Sequence, residues 1–101
     1  MDELVKKNMD RLWHLCKLYD VEKMYLFGSA SSGIFTSSSD IDVLIKFRNI
    51  PAEEYADNYF KLHYELEELF GRKVDLVTEN SLSNPYFIKS VENTKQIVYA
   101  G

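Results

Sequence analysis

Residues 26–47 have the sequence LFGSASSGIFTSSSDIDVLIKF, in which two aspartates stand at the start of an apolar run. Asp40 and Asp42 are separated by one residue, and the Ile- and Val-rich run that contains them predicts a β-strand over 40–47. Because side chains alternate between the two faces of a strand, both carboxylates are predicted to point to the same face. Two like charges side by side are unfavourable there, so the pattern indicates that something else compensates them.

A divalent cation would supply the compensating charge. Mg²⁺ takes oxygen ligands and is commonly held by one or two carboxylates together with substrate phosphates. A third carboxylate, Asp75, lies in the segment KVDLV, which has the pattern of another strand. If the two strands are neighbours, Asp40, Asp42 and Asp75 form one acidic group that suits a two-metal site for a displacement at phosphorus. A solvated acidic patch is the alternative that the residue types alone leave open.

A glycine and a serine lie upstream of the acidic pair, directly after a short apolar segment that ends at Phe27. Gly28 would let the backbone come close to a phosphate, since glycine has no side chain. The Ser29 hydroxyl and the amides of the following turn can donate hydrogen bonds to phosphate oxygens, and a helix N-terminus there would favour the anion further. The segment therefore predicts a strand, a phosphate-binding turn and a metal-binding strand, in that order.

The rest of the chain predicts helices that alternate with strands. Helices are predicted over 2–19, from Pro51 to Phe70 and over 86–91, and further strands over 24–27, 73–78 and 96–99. Pro51 occupies a position that favours the start of the long helix, and Gly71 is predicted to end it. The alternation indicates one sheet with helices packed on it.

The composition is that of an ordinary globular protein of 101 residues, and it argues against several kinds of partner. A net charge of −4 argues against an extended nucleic-acid surface, which is normally basic. The chain has no apolar run long enough to span a membrane and no signal-peptide core, so we expect a cytoplasmic protein without a membrane partner. The single cysteine, Cys16, is predicted to be a small buried hydrophobic residue rather than a nucleophile.

The sequence gives no indication of a cofactor or metal site at the tryptophan and the two histidines of the predicted helices. Trp13 fits the apolar stripe of the first helix, and His14 and His63 have no Cys or His at zinc-ligand spacing. We therefore expect structural or surface positions for both histidines. An exposed part of the apolar stripe could contact a partner protein or a second copy of the chain in a homo-oligomer.

The segment GSASSGIFTSSSDID resembles the G-S-x10-D-x-D signature of the nucleotidyltransferase superfamily that includes DNA polymerase β. The chain length and the C-terminal sequence VDLVTENSLSNPYFIKSVENTKQIVY are similar to the smallest branch of that superfamily, the minimal nucleotidyltransferase (MNT) domains. The resemblance covers nearly the whole chain. It implies an α+β fold: a single small nucleotidyltransferase domain over residues 1–101, with a mixed β-sheet flanked by helices.

The resemblance also implies an activity, the transfer of a nucleoside monophosphate to a hydroxyl group with loss of pyrophosphate. Gly28 and Ser29 match the residues that hold the triphosphate of ATP or another nucleoside triphosphate. Asp40 and Asp42 match the ligands of both Mg²⁺ ions, and Asp75 would bind the catalytic ion and help to activate the acceptor hydroxyl. Minimal members are commonly encoded beside a HEPN-domain ribonuclease toxin, so the implied role is an antitoxin that transfers AMP to this partner.

Two other functions stay open. Many relatives have an arginine in the pattern G-S-x-A-R-G, whereas this chain has Ala-Ser-Ser before Gly33 and no Lys or Arg over residues 28–39. Phosphate binding would then depend on amides, hydroxyls, metal ions and cations elsewhere, such as Lys46, Arg48 or Arg72. The chain could instead be a binding module that neutralises a HEPN-type partner by contact. A transferase for a small molecule such as an aminoglycoside is disfavoured, because relatives of that kind carry an extra domain.

Overall fold

Helices alternate with strands through the residues that the computed structural model describes, which are 3–27, 40–79 and 85–101. The elements of these ranges in chain order are α1 (Glu3–Lys7), α2 (Met9–Leu18), β1 (Val21–Phe27), β2 (Ile41–Phe47), α3 (Ala52–Phe70), β3 (Val74–Thr78), α4 (Pro85–Thr94) and β4 (Gln96–Ala100). None of these helices is long and apolar enough to cross a membrane.

The four strands form one sheet in the order β3-β2-β1-β4. Strand β1 pairs antiparallel with both β2 and β4, while β2 and β3 run parallel. The parallel pair needs a crossover connection, and the long helix α3 provides it. The predicted α+β fold with a mixed sheet and flanking helices is therefore confirmed.

The two faces of the sheet differ in what covers them. One face packs against α1, α2 and α3, and its centre is formed by fully buried residues of β2 such as Val43 and Ile45 and of α3 such as Leu62. On the other face, Val91 of α4 packs against a smaller buried cluster that includes Leu44. The strict alternation of β2 side chains therefore divides the molecule into a large core and a smaller one.

The boundaries of α3 follow the local chemistry that the sequence contains. Pro51 precedes the first helical residue, and Glu53 and Glu54 lie in the first turn, where negative charge is favourable. Gly71 ends the helix at φ 62°, a left-handed conformation that glycine adopts without steric cost, and its N–H donates to the carbonyl of Glu67. The predicted start and stop of this helix are confirmed.

The N-terminal helix differs from its prediction over 2–19, because the structure divides it into α1 and α2 at Asn8. Asn8 has φ −109° and ψ 11°, and its N–H donates to Val5 in a tight turn. Asparagine competes with helical hydrogen bonds through its own side chain and is a weak helix former, which provides a local reason for the break.

Strand β1 begins at Val21, whereas the prediction began at residue 24. Glu22 and Lys23 interrupt the apolar pattern at the start of this strand, so the sequence did not indicate that the strand begins at Val21. In the structure Glu22 forms an ion pair with the neighbouring strand, since its carboxylate is 3.3 Å from the ammonium of Lys46 on β2. The loop predicted over 29–39 lies outside the described residues, as does most of the turn predicted over 80–85.

Cys16 is fully buried in the large core. Burial raises the pKa of its thiol to about 12, so the thiol is neutral at pH 7. Because the thiolate is the nucleophilic form, the prediction of a small buried hydrophobic residue is confirmed.

A change of register near the end of the sheet gives Trp13 a specific role. Met24 is opposite Tyr99 and Tyr25 is opposite Ile97, so Val98 of β4 has no opposite residue on β1. The indole N–H of Trp13 donates to the Val98 carbonyl at 2.7 Å. The side chain is 47% exposed, so it links α2 to β4 at the rim of the apolar stripe rather than inside it.

Replacing Trp13 with Phe should lower the free energy of unfolding by about 1–2 kcal/mol, because the Val98 carbonyl loses its donor. Urea denaturation monitored by circular dichroism measures this change. Tyr64→Phe is the control, since Tyr64 is 63% exposed and its replacement should change stability by less than about 0.5 kcal/mol. Equal urea midpoints for wild type and Trp13→Phe would contradict the proposed contribution of this hydrogen bond.

Candidate active site

Three carboxylates that the sequence singled out lie at one end of the β2–β3 pair. Asp42 of β2 is directly opposite Asp75 of β3 in the parallel register, and Asp40 lies directly before the first residue of β2. Neighbouring strands are about 4.8 Å apart, and opposite residues point to the same face. The condition that the sequence left open is therefore met, because β2 and β3 are neighbours and Asp42 lies beside Asp75, while the chemical roles of all three carboxylates stay a prediction.

Burial is the main reason that the pKa of Asp42 is raised from 3.8 to about 6. The negative charges of Asp75 and Asp40 add to this effect, in that order. Asp75 and Asp40 are themselves exposed, so Asp42 is the member of the group that carries the cost of burial. The ionised form of Asp42 is therefore the one that the site disfavours until a positive charge approaches.

The small apolar cluster of α4 explains why Asp42 is partly buried. Phe27, Leu44 and Val91 are buried together. Phe27 is directly opposite Asp42 on β1, and Leu44 follows Asp42 on the same face of β2. The carboxylate therefore lies at the border between apolar side chains and solvent, where the charged form is only partly hydrated.

Lys46 and Arg72 are the cations of the described ranges whose position relative to this acidic group follows from the strand register. Lys46 is on the same face of β2 as Asp42, but four residues along a strand correspond to about 13 Å. Its ammonium is already paired with Glu22. Of the cations that the sequence offered for phosphate binding, Arg72 lies nearer, because it precedes β3 at the end where the carboxylates lie.

The donor set fits a divalent cation that binds together with a phosphate group. Among the residues that the structure describes, no three acidic, histidine or cysteine side chains are grouped so that they could hold a metal ion. Mg²⁺ is usually bound through one or two carboxylates plus substrate phosphates, with water at the other positions. Asp42 and Asp75 supply such a pair, and a bound cation would favour the ionised form of Asp42, whose pKa is raised first by burial and then by the neighbouring negative charges.

The predicted phosphate-binding residues, Gly28 and Ser29, lie outside the described residues. Strand β1 ends at Phe27, and Phe27 is opposite Asp42. The chain therefore leaves the described sheet beside the acidic pair, and Gly28 is the next residue in sequence. The role of both residues in nucleotide binding stays a prediction.

One group of residues near the site was not identified from the sequence. The hydroxyl of Tyr59 on α3 donates to the carbonyl of Leu76 at 2.6 Å, directly after Asp75 in the chain. Burial raises the pKa of Tyr59, and the charges of Asp75 and Tyr55 raise it further. The apolar spacing of α3 predicts only a buried face, whereas the useful signal is a row of hydrogen-bonding side chains every four residues from Tyr59.

Replacing Asp42 with Asn should stabilise the metal-free protein at pH 7, where the wild-type carboxylate is ionised despite burial and neighbouring charges. The pKa of Asp42 is about 6 in the folded protein and about 3.8 in the unfolded chain. Between these two pH values Asp42 is protonated in the folded state and ionised in the unfolded state. Stability due to this group is therefore lost as pH rises from about 4 to 6 in the wild type only. We expect a gain of about 1 kcal/mol at pH 7, since solvent screens this partly buried group.

Urea denaturation in the presence of a chelator at pH 4 and pH 7 tests this expectation, and the gain should vanish at pH 4. Asp57→Asn is the control, because Asp57 is an exposed carboxylate that pairs with Lys61 on α3. An Asp42→Asn variant that is less stable than wild type at pH 7 would show that the charged carboxylate stabilises the fold.

Comparison with known proteins places this geometry in a family. The chain matches the nucleotidyltransferase domain family over residues 7–98. A protein of Methanocaldococcus jannaschii named "putative protein adenylyltransferase" is 40% identical over 74 residues, which cover 73% of this chain and 73% of that protein. Protein adenylyltransferase MntA of Thermococcus cleftensis is 35% identical over 66 residues, which cover 65% of this chain and 64% of that protein.

Solved structures share the fold. A "putative minimal nucleotidyltransferase" has a TM-score of 0.70 at 26% identity, with 95% of each chain covered. A chain from the crystal structure of a toxin–antitoxin with AMP-PNP has a TM-score of 0.73 at 23% identity, with coverage of 93% of this chain and 74% of that one. A complex of a tri-AMPylated HEPN toxin of Shewanella oneidensis with an MNT antitoxin provides a chain with a TM-score of 0.67 at 20% identity, with coverage of 95% and 72%.

The family match extends over most of the chain and agrees with the strand order and with the adjacent aspartates. It confirms the resemblance that the Gly-Ser and Asp-x-Asp motifs carry, and with it the prediction of a nucleotidyltransferase enzyme. This protein therefore belongs to the nucleotidyltransferase domain family.

Proposed function

We propose that this protein is a metal-dependent adenylyltransferase that moves AMP from ATP to a hydroxyl group of a HEPN-domain protein, and that it thereby acts as an antitoxin. The relatives named protein adenylyltransferase support both the adenylyl group and the protein acceptor. The fold shared with an MNT antitoxin bound to a HEPN toxin, and with a toxin–antitoxin that contains AMP-PNP, supports the partner and the nucleotide.

The observation that carries the proposal is the direct pairing of Asp42 with Asp75 at the end of the sheet where β1 stops. Burial and repulsion raise the pKa of Asp42, so the site favours a ligand that brings positive charge. A nucleoside triphosphate with its bound cations provides such charge together with phosphate oxygens. A solvated acidic patch would not explain why one of these carboxylates is partly buried beside an apolar cluster.

The proposed site residues hold the cation, bind the triphosphate and activate the acceptor hydroxyl. The acceptor oxygen attacks the α-phosphorus of ATP, the bond from that phosphorus to pyrophosphate breaks, and pyrophosphate leaves. Asp42 and Asp75, with triphosphate oxygens and with Asp40 directly before β2, would hold Mg²⁺, which would supply positive charge at both oxygens of the displacement. Gly28 and Ser29 bind the triphosphate, and Asp75, which is exposed on the outermost described strand, takes the proton of the acceptor hydroxyl.

A second function, neutralisation of the partner by contact alone, is favoured by two observations. The segment over residues 28–39 contains no Lys or Arg to bind phosphate. On α3, Phe60 is 68% exposed and Tyr64 is 63% exposed, so the helix presents two neighbouring aromatic side chains to solvent. Exposed aromatic side chains of this kind are frequent at protein interfaces.

Label transfer from ATP should distinguish the two functions. The protein is incubated with Mg²⁺ and a HEPN-domain partner from the same cells, with ATP labelled at either the α- or the γ-phosphate. Adenylyl transfer predicts that only the α-label appears on the partner, because the γ-phosphate leaves with pyrophosphate. Asp42→Asn should reduce the rate by at least about 100-fold, since the loss of a metal ligand exceeds the effect of losing an outer-shell partner.

Asp57→Asn is the matched control for this experiment, because it removes an exposed carboxylate of α3 away from the proposed site. A transfer rate that is unchanged in Asp40→Asn and Asp42→Asn would refute the assigned site. If the protein that carries both Asp40→Asn and Asp42→Asn transfers no label but still neutralises the partner, contact rather than adenylylation is the antitoxin mechanism.

A further inference from the structure

Three side chains of α3 form a row along the outer edge of β3. Tyr59, His63 and Glu67 are spaced by four residues, so they lie on one side of the helix. The Tyr59 hydroxyl donates to the Leu76 carbonyl at 2.6 Å. Glu67 Oε2 accepts a hydrogen bond from the backbone N–H of Val74 at 3.0 Å.

His63 completes this row. Its Nε2 atom is 2.7 Å from the carbonyl oxygen of Val74, and because a carbonyl only accepts, Nε2 is the protonated donor. The same nitrogen is 3.7 Å from Glu67 Oε2. The N–H and the C=O of Val74 are therefore both bound by side chains of α3.

Asp75 lies between the two residues that α3 holds. The N–H of Ile41 donates to the carbonyl of Lys73 at 3.0 Å, so the ladder with β2 uses alternate residues from Lys73 onward. The backbone of Asp75 accordingly faces β2, while Val74 and Leu76 face α3. The peptide groups on either side of Asp75 are thus fixed by the helix, and those of Asp75 itself by the neighbouring strand.

We propose that Tyr59, His63 and Glu67 are positioning residues that hold the backbone around Asp75, so that its carboxylate stays beside Asp42. The proposal rests on the proposed function, in which Asp75 is a metal ligand. The physical reason is that Asp42 and Asp75 repel each other, and β3 is the outermost described strand on this side of the sheet. A strand with a ladder on one side only is free to move away from the repulsion, and the row on α3 opposes that movement.

The alternative role of the row is to block the edge of β3 against other strands, which is a purely structural function. The two roles differ in what they predict for metal binding. A row that only blocks the edge influences stability and association, whereas a row that places Asp75 also influences how strongly the carboxylates bind a cation. Metal affinity is therefore the measurement that distinguishes positioning from edge protection.

The test uses Tyr59→Phe, which removes one donor and keeps the ring, and Glu67→Ala, which removes one acceptor. The matched controls are Tyr64→Phe and Glu68→Ala, because both residues are exposed on the same helix. Each protein is titrated with Mn²⁺ alone, and the dissociation constant is obtained from paramagnetic broadening of the Asp42 and Asp75 amide resonances. We expect the dissociation constant for Mn²⁺ to rise about 10-fold in both variants and to stay within twofold in both controls.

Two further measurements need no comparison of metal affinities. Hydrogen exchange of the Val74 amide should accelerate in Glu67→Ala and should be restored in Glu67→Gln, which keeps an acceptor oxygen. In the transfer assay, Tyr59→Phe should lower kcat about 10-fold with little change in KM for ATP, and it should have no added effect in an Asp75→Asn background.

The outcomes separate this proposal from the proposed function. If wild-type protein binds Mn²⁺ but Tyr59→Phe and Glu67→Ala bind it as tightly as their controls do, the positioning role is refuted and the metal site stands. If Mn²⁺ broadens neither the Asp42 nor the Asp75 amide resonance of the wild-type protein, and Asp75→Asn transfers AMP at the wild-type rate, the metal site and the positioning role are both refuted. Circular dichroism and urea midpoints establish that each variant is folded.

Discussion

The repulsion between Asp42 and Asp75 is the constraint on which the arrangement of the site depends. Parallel pairing of β2 with β3 places the two carboxylates side by side. The same pairing places Val43 opposite Leu76 on the other face, and both of these residues are buried in the large core. Apolar burial on one face therefore holds together a strand pair whose other face carries like charges, because the hydrophobic contribution is the larger.

Helix α3 joins the core to the site. Leu62 and Leu66 on one side of it are fully buried against the sheet. The neighbouring row of Tyr59, His63 and Glu67 binds the backbone of β3. A helix anchored by its apolar side chains provides rigid donors and acceptors, so the packing of the core determines where the edge strand lies. Trp13 acts in a comparable way at β4, where its indole binds the Val98 carbonyl.

The sequence predicted those features that depend on local periodicity and on chemistry at fixed spacing. The end of α3 at Gly71, the strand with the Asp-x-Asp motif and the family itself were all accessible from the residues. Features that depend on long-range contacts were not. The register that sets Asp75 opposite Asp42 requires the paired strand, and Tyr59 looks like an ordinary core residue until Leu76 is placed beside it. The break at Asn8 was missed because the apolar stripe continues through it.

Folding and ligand binding are linked at this site through the charge of Asp42. At neutral pH the ionised carboxylate is partly buried beside two other negative charges, which is unfavourable in the ligand-free fold. A cation bound at the pair would offset the repulsion only in the folded state, because the unfolded chain does not hold the carboxylates together. Occupancy would then raise the free energy of unfolding by mass action. The repulsion that disfavours the ionised carboxylates in the fold is thus the same interaction that a bound cation would relieve.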